Sequence, residues 1–214
     1  PAVGHWNLAQ LANAIYPVVG NVEPLQEALD EYEEIFARSW SDMVAAKLGL
    51  VEHSSDPSQR VITDLFSILE TGEIDMTIFF RSLSSITVGS NTNIDEITAL
   101  LKSAYYQPES KPQVHWESLR SWIEHYCNVL RNQGVTDEQR RAQMNQVNPK
   151  YVLRNYLAQL AIDSAEQGDL SMLYDLEKML KNPYDDQPEF DKWFVKRPDW
   201  AKDRAGCSML SCSS

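Results

Sequence analysis

The sequence is poor in glycine, in cysteine and in basic residues, and each shortage excludes a class of protein. Its eight glycines are scattered over 214 residues, without the clustered glycines of a phosphate-binding loop. Three cysteines are too few for the disulfide framework of a small secreted domain. Nineteen Lys and Arg against 31 Asp and Glu leave a formal charge of −12, and no apolar run approaches the ~20 residues of a membrane span. We therefore expect neither nucleic acid nor a membrane as a partner.

Residue patterns for metal binding and nucleophilic catalysis are missing as well. His115 and His125 are ten positions apart, which places them on different faces of one helix rather than at metal-ligand spacing. Cys207 and Cys212 have no second pair to complete a zinc site, and the adjacent acids at 185–186 are typical of a solvated turn. We therefore predict no catalytic residue, no cofactor-binding residue and no metal ligand in this chain.

The helical period recurs along most of the sequence. Apolar residues follow a 3.6-residue spacing from Leu25 to Met43, with acidic residues on the other face and Gly49 suited to end the helix. Asn93 and Thr136 each precede a Glu or Gln by three residues, as in capping boxes. Further helices are predicted over 57–70, 75–83, 93–103, 115–132 and 136–145. No window shows the alternation of a β-hairpin, so we predict an all-α fold of about nine helices.

Two more helices are predicted before the tail. Pro149 suits the first position of the most strongly periodic segment, which Gly168 ends. Asp169 is then predicted to cap a final helix. The leucines predicted to face inward on this helix are Leu170, Leu173, Leu176 and Leu180.

The sequence divides into three regions by composition. Residues 1–183 form the helical domain, in which Cys127 is predicted to be a small buried hydrophobic side chain. Residues 184–206 are predicted to form an extended tail. Burial of Trp193, Phe194 and Trp200 against the helical body is expected to hold this tail in place. Residues 207–214 are short, small and polar, which predicts a mobile terminus that contains two cysteines.

The first 16 residues are more apolar than one short terminal helix usually hides. They include Val3, Trp6, Leu8, Leu11 and Ile15, and exposed apolar patches of this kind mark interfaces. We therefore expect an apolar surface here that packs on a further part of the protein or on another copy. The sequence opens with Pro rather than Met, and we expect it to be a piece of a longer protein.

Several blocks resemble the selenoprotein O family from one end of the sequence to the other. The opening Pro1–Ala12 is similar to the segment that follows the family's kinase-like core. The stretch Val147–Gln159, with sequence VNPKYVLRNYLAQ, resembles its most recognisable carboxy-terminal block. Residues 197–202, RPDWAK, and the terminal Ser-Cys-Ser-Ser at 211–214 continue the pattern. In animal members the position of Cys212 holds selenocysteine.

The resemblance implies a protein adenylyltransferase. Members have a protein-kinase-like fold and transfer AMP from ATP to hydroxyl side chains of proteins, with Mg or Mn as the metal. The family's nucleotide and metal ligands precede the equivalent of Pro1, so ATP and metal would bind outside this chain, which alone would be inactive. Its partners would be the upstream kinase-like lobe and the protein substrates, in the bacterial cytoplasm or the mitochondrion.

The resemblance also implies a redox role for Cys212. In the family the terminal cysteine is thought to pair with a cysteine in the upstream activation-loop region, which would make activity respond to reductant. An alternative function stays open: a free-standing all-α protein-interaction module without catalytic activity.

Overall fold

The computed structural model describes residues 1–89 and 92–207, and within these ranges the chain is all-α. Nine α-helices and three short 3-10 helices occur in the described residues, which confirms the predicted fold class. The α-helices are α1 (Ala2–Val19), α2 (Glu23–Leu48), α3 (Asp56–Thr71), α4 (Met76–Ser84), α5 (Ile94–Lys102), α6 (Gln113–Asn132), α7 (Asp137–Val147), α8 (Asn155–Glu166) and α9 (Ser171–Lys181). The 3-10 helices are Pro108–Ser110, Pro188–Trp193 and Asp199–Ala201.

The chain forms two compact units, Pro1–Ala45 and a second unit that begins at Ala46, so the division falls within α2. In the first unit α1 contains no buried residue. Its start approaches α2 closely, because a Cβ on Gly4 would lie 2.5 Å from the Tyr32 hydroxyl. The His5 and Tyr32 ring centroids are 6.0 Å apart. This unit therefore buries little apolar surface of its own.

The core of the second unit lies where α6 packs against α3 and α5. The Trp122 and Tyr126 rings stack at 5.0 Å inside it. Both polar atoms are satisfied: Trp122 Nε1 donates to the Val61 carbonyl at 2.8 Å, and the Tyr126 hydroxyl donates to the Leu48 carbonyl at 2.6 Å. Cys127 is fully buried beside them, as predicted, and burial raises the pKa of its thiol to about 11.

Local capping signals define several helix ends. The Asp75 carboxylate accepts the Ile78 N–H at the start of α4, and Thr136 and Gln139 form the predicted reciprocal capping box of α7. Gly49 has a φ of +66°, and a Cβ there would lie 2.7 Å from the Arg140 side chain. Glycine is required at this position for its backbone freedom and for its small size.

The prediction that Pro149 begins a helix is wrong. Residues 149–154 are non-helical, and α8 begins at Asn155. The backbone N–H groups of Lys150 and Tyr151 donate to the Pro183 carbonyl at 2.8 and 3.1 Å. Because their backbone N–H groups donate to a distant carbonyl, these residues stay outside a helix despite the helical period.

The predicted inward stripe of α9 is correct only in its second half. Leu176 is buried and Leu180 is partly buried, but Leu170 and Leu173 are 42% and 48% exposed. The Asp169 carboxylate accepts the Ser171 N–H at 2.9 Å, although Leu170 occupies the N-cap position. The helix therefore buries only the face that packs on α8 and on the tail residue Phe190.

Candidate functional site

The residues between α7 and α8 form a connecting segment, 148–154, whose side chains reach three other parts of the second unit. At its start, the Asn148 side-chain amide donates to the Lys47 carbonyl at 2.8 Å. The Lys47 ammonium in turn donates to the Val147 carbonyl at 3.1 Å, and burial lowers the pKa of this lysine. The first residue of the segment is therefore fixed to the end of α2.

At the other end of the segment, Arg154 forms an ion pair with the buried Asp75. Both guanidinium NH groups donate to the carboxylate, one of them at 3.0 Å. The same carboxylate accepts the Tyr106 hydroxyl at 3.1 Å and the Ile78 N–H at 3.1 Å. Burial opposes the charge of Arg154, but hydrogen bonding to Asp75 outweighs it and raises the arginine pKa. Asp75 thus joins α4, the residues after α5 and the connecting segment.

Between these two anchors, Lys150 and Tyr151 bind the tail. The Lys150 ammonium lies 3.0 Å from Asp186 and 2.7 Å from Asp191. The Tyr151 hydroxyl lies 2.9 Å from Asp191 and 2.8 Å from the Gln187 carbonyl. Hydrogen bonds from Lys150 lower the pKa of both carboxyls. The acids at 185–186 are both exposed, as expected of a solvated turn, and Asp186 in addition pairs with Lys150.

Arg81, on α4, contacts both the connecting segment and the tail. It is 8% exposed, and its guanidinium donates to the carbonyls of Asn148 and Tyr184, each at 3.1 Å. A further contact to Asp186 measures 3.3 Å. The cation also lies at the carboxyl end of α7, where the helix dipole favours positive charge. Arg81 therefore links α4, the connecting segment and the tail.

The tail completes an apolar cluster with α8, α9 and Tyr151. Phe190 is the buried aromatic residue that the tail contributes, and its ring stacks on that of Trp193 with the centroids 5.3 Å apart. Trp193 and Phe194 are partly buried against the cluster, whereas Trp200 is 47% exposed. The buried members of the cluster are Tyr151, Tyr156, Leu157, Ala161, Leu176, Met179, Phe190, Ala201 and Cys207.

The cysteines of the carboxy-terminal region differ from the sequence-based expectation. Cys207 was expected in a mobile terminus, but it is 5% exposed and belongs to the apolar cluster. The chain is held just before it, because Arg204 pairs with both oxygens of Asp163 at 2.8 and 2.7 Å. Cys212, the candidate redox residue, lies outside the described residues.

The positive charges around the connecting segment are neutralised by carboxylates. Three cations lie in or beside this segment, and each pairs with a carboxylate: Arg81, Lys150 and Arg154. None of the three therefore has an unpaired charge with which to bind a phosphate group. In residues 1–89 and 92–207, no three His, Cys, Asp or Glu side chains form a metal-binding group. Over the same residues, no helix combines the length and apolar character that crossing a bilayer demands.

Sequence reasoning missed the polar partners of the connecting segment. The pair Asp75–Arg154 joins residues 79 apart, and no local spacing signals it. One signal for these polar partners was present in the sequence. The VNPKYVLRNYLAQ block mixes Lys, Tyr and Arg with its apolar residues, and a simple amphipathic helix does not require that mixture.

Comparison with known proteins places the chain in a family. The model for "Protein adenylyltransferase SelO" matches residues 1–181. Relatives named protein nucleotidyltransferase YdiU match the whole chain, at 44% identity in Rhodopirellula baltica and Flavobacterium johnsoniae and 46% in Aromatoleum aromaticum. The chain spans 40–41% of the length of these relatives. The chain therefore belongs to the protein adenylyltransferase SelO family.

Proposed function

We propose that this chain is the helical carboxy-terminal part of an enzyme that transfers AMP from ATP to Ser, Thr or Tyr hydroxyls of proteins. The observation that supports this most strongly is the match of the whole chain to relatives named protein nucleotidyltransferases, of which it covers about two fifths. ATP and Mg or Mn bind in the remaining polypeptide, a kinase-like lobe. The helical part supports that lobe.

The geometry of the second unit suits a supporting role. Its charged side chains around the connecting segment are paired with one another, so they fix backbone positions rather than bind a ligand. Three separate regions, the end of α2, α4 and the tail, are tied to residues 148–154. Such a unit provides a rigid base for a neighbouring lobe.

The test uses a chimera in which these 214 residues replace the matched region of the Aromatoleum aromaticum relative. The isolated chain and the chimera are incubated with labelled ATP, Mg²⁺ or Mn²⁺ and a protein acceptor. We expect label transfer by the chimera and none by the isolated chain. Robust transfer by the isolated chain, or none by a folded chimera, would contradict the proposal. The second outcome would favour a free-standing interaction module.

We also propose that Cys212 makes the enzyme respond to redox conditions by pairing with a cysteine of the kinase-like lobe. Cys127 and Cys207 are both buried, which limits their access to oxidants. Oxidising the chimera and mapping its disulfides by mass spectrometry tests this, with Cys212→Ser as the matched variant. A free Cys212 in an oxidised enzyme whose activity still responds to reductant would assign the response to another residue.

A further inference from the structure

Helices α3 and α6 leave a groove between them on the surface of the second unit. Two adjoining pockets of about 480 and 550 Å³ make up this groove, and both are lined by Asp64 and His125. The lining runs from Asp56 to Ile68 on α3 and from Val114 to His125 on α6. At a helical rise of 1.5 Å per residue, each side is about 16–18 Å long. An extended segment of about five residues has this length.

The floor of the groove is apolar. It is formed by Ile68 and Trp122, which are both buried in the unit. The Trp122 indole N–H is already bonded to the Val61 carbonyl, so the ring offers only apolar surface. Val114, which is 63% exposed, extends this surface at one end. Such a floor suits the methylene groups of a long side chain.

The hydroxyl groups along the rims are hydrogen-bond acceptors toward a ligand. The hydroxyls of Thr63, Ser67 and Ser118 each donate to the carbonyl four residues earlier, at 3.0, 3.3 and 3.0 Å. A hydroxyl group has one proton and two lone pairs. Because the proton of each is used within its own helix, the oxygen can only accept a further hydrogen bond.

Two carboxylates add negative charge on opposite sides of the groove, Asp64 on α3 and Glu117 on α6. Both side chains are exposed. Among residues 1–89 and 92–207, neither carboxylate has a hydrogen-bond or ion-pair partner. The lining also includes Asp56 and Arg60, which belong to the pocket nearer the start of α3. A ligand cation is therefore expected beside Asp64 and Glu117, away from Arg60.

We propose that this groove binds an extended segment of a partner protein and that an arginine of this segment pairs with Asp64 and Glu117. A guanidinium has five N–H donors and no acceptor, which complements carboxylates and accepting hydroxyls. Its stem covers Ile68 and Trp122 while its charged end reaches the carboxylates. The net charge of −12 also favours a cationic partner. The inference requires no AMP transfer, so it does not depend on the proposed function.

The experiment titrates the isotope-labelled 214-residue chain with the capped peptide Gly-Val-Arg-Val-Gly and follows its amide and indole signals by NMR. A second peptide carries citrulline, which has the shape of arginine without its charge, and a third carries glutamate. We expect saturable shifts of α3 and α6 amides and of the Trp122 indole signal. The arginine peptide should bind at least ~5-fold more tightly than the citrulline peptide, because its hydrogen bonds to carboxylates are charge-assisted.

Variants of the groove locate the site. Asp64→Asn combined with Glu117→Gln should weaken binding of the arginine peptide at least ~10-fold. The matched control is Glu138→Gln combined with Glu166→Gln, at two exposed acids outside the groove, and it should bind as the original chain does. Ser121→Trp fills the groove and should abolish the shifts, whereas Ser121→Ala should retain them. The spectrum of each free variant reports whether it is folded.

Several results would overturn the proposal. Equal binding of the arginine and citrulline peptides would show that the groove has no cation site, and tighter binding of the glutamate peptide would indicate an acidic partner. Shifts confined to residues outside α3 and α6, or no saturation at millimolar peptide, would exclude the groove as the binding surface. The titration is repeated with the Aromatoleum aromaticum chimera, where loss of binding would show that the rest of the polypeptide covers the groove.

Discussion

The two units of this chain differ in how they bury side chains. In Pro1–Ala45 the buried hydrophobic side chains are Val44 and Ala45, at the end of the unit. From Ala46 onward each described α-helix contributes at least two buried residues. A helix whose apolar residues stay exposed gains little stability from tertiary packing, which supplies most helical stability in proteins. The second unit therefore has its own core, whereas α1 contributes no buried residue to one.

The polar residues show the same contrast. The acidic residues of α2 lie largely on its exposed side, while Asp75, Arg81 and Arg140 of the second unit are buried and hydrogen-bonded. A buried charge network is tolerated only when the surrounding structure satisfies every group. We therefore expect the second unit to fold independently, and the following predictions test that expectation.

The largest expected effect comes from breaking the Asp75–Arg154 pair. Asp75→Ala leaves the partly buried Arg154 guanidinium without its carboxylate and removes the cap of α4. We expect a loss of up to about 5 kcal/mol in the free energy of unfolding, measured by urea denaturation. The double variant Asp75→Leu with Arg154→Met should recover a substantial part of it. A loss below about 1 kcal/mol for Asp75→Ala would show that the pair does not stabilise the unit.

The next effect compares two aromatic residues of the tail. Phe190→Ala removes a buried ring from the apolar cluster and should cost about 3 kcal/mol. Trp200→Ala, at a half-exposed position that sequence reasoning favoured as an anchor, should cost about 1 kcal/mol or less. Urea denaturation of both variants checks the order. Equal losses would mean that the tail is held by its aromatic residues collectively.

A smaller effect concerns pH and His115. Its Nε2 lies 2.9 Å from the Tyr105 hydroxyl and its Nδ1 lies 3.3 Å from the Thr71 hydroxyl. Burial, with a contribution from nearby Lys111, lowers its pKa. The unfolded chain then binds the proton more readily, so stability should fall as pH drops below about 6.5, the pKa of an unfolded histidine.

Urea midpoints measured between pH 5 and pH 7.5 test this expectation. His115→Gln should flatten the dependence, and His125→Gln, a partly exposed position on the same helix, should retain it. A steeper loss of stability in His115→Gln would contradict the assignment.

The smallest expected effect is that of removing residues 1–22. Because α1 buries no residue, its deletion should change the free energy of unfolding of the second unit by less than about 0.5 kcal/mol. The deletion should also reduce any self-association seen by sedimentation. A loss above about 1 kcal/mol would show that the second unit depends on α1.

Sequence reasoning predicted the features that local residues determine. Thr136 and Gln139 cap each other within one turn, and Gly49 ends α2 where a side chain would meet Arg140. These signals lie within a few residues of the structure they specify, so the fold class and most helix positions followed from them.

Features that depend on distant residues could not be predicted in this way. Tyr151 is held out of a helix by the Pro183 carbonyl, and the polar partner of Arg154 lies 79 residues earlier. The composition of residues 207–214 predicted a mobile polar terminus, yet Cys207 is buried by packing with α8 and α9. In each case a tertiary contact outweighs the local pattern.

The most direct test of the central claim is hydrogen exchange of the isolated 214-residue chain, resolved by peptide. If the second unit folds on its own and α1 lacks a core, amides of α6 should exchange only through global unfolding. Amides of α1 should then exchange through local opening, at least ~100-fold faster. Protection of α1 equal to that of α6 in a monomeric chain would contradict the account.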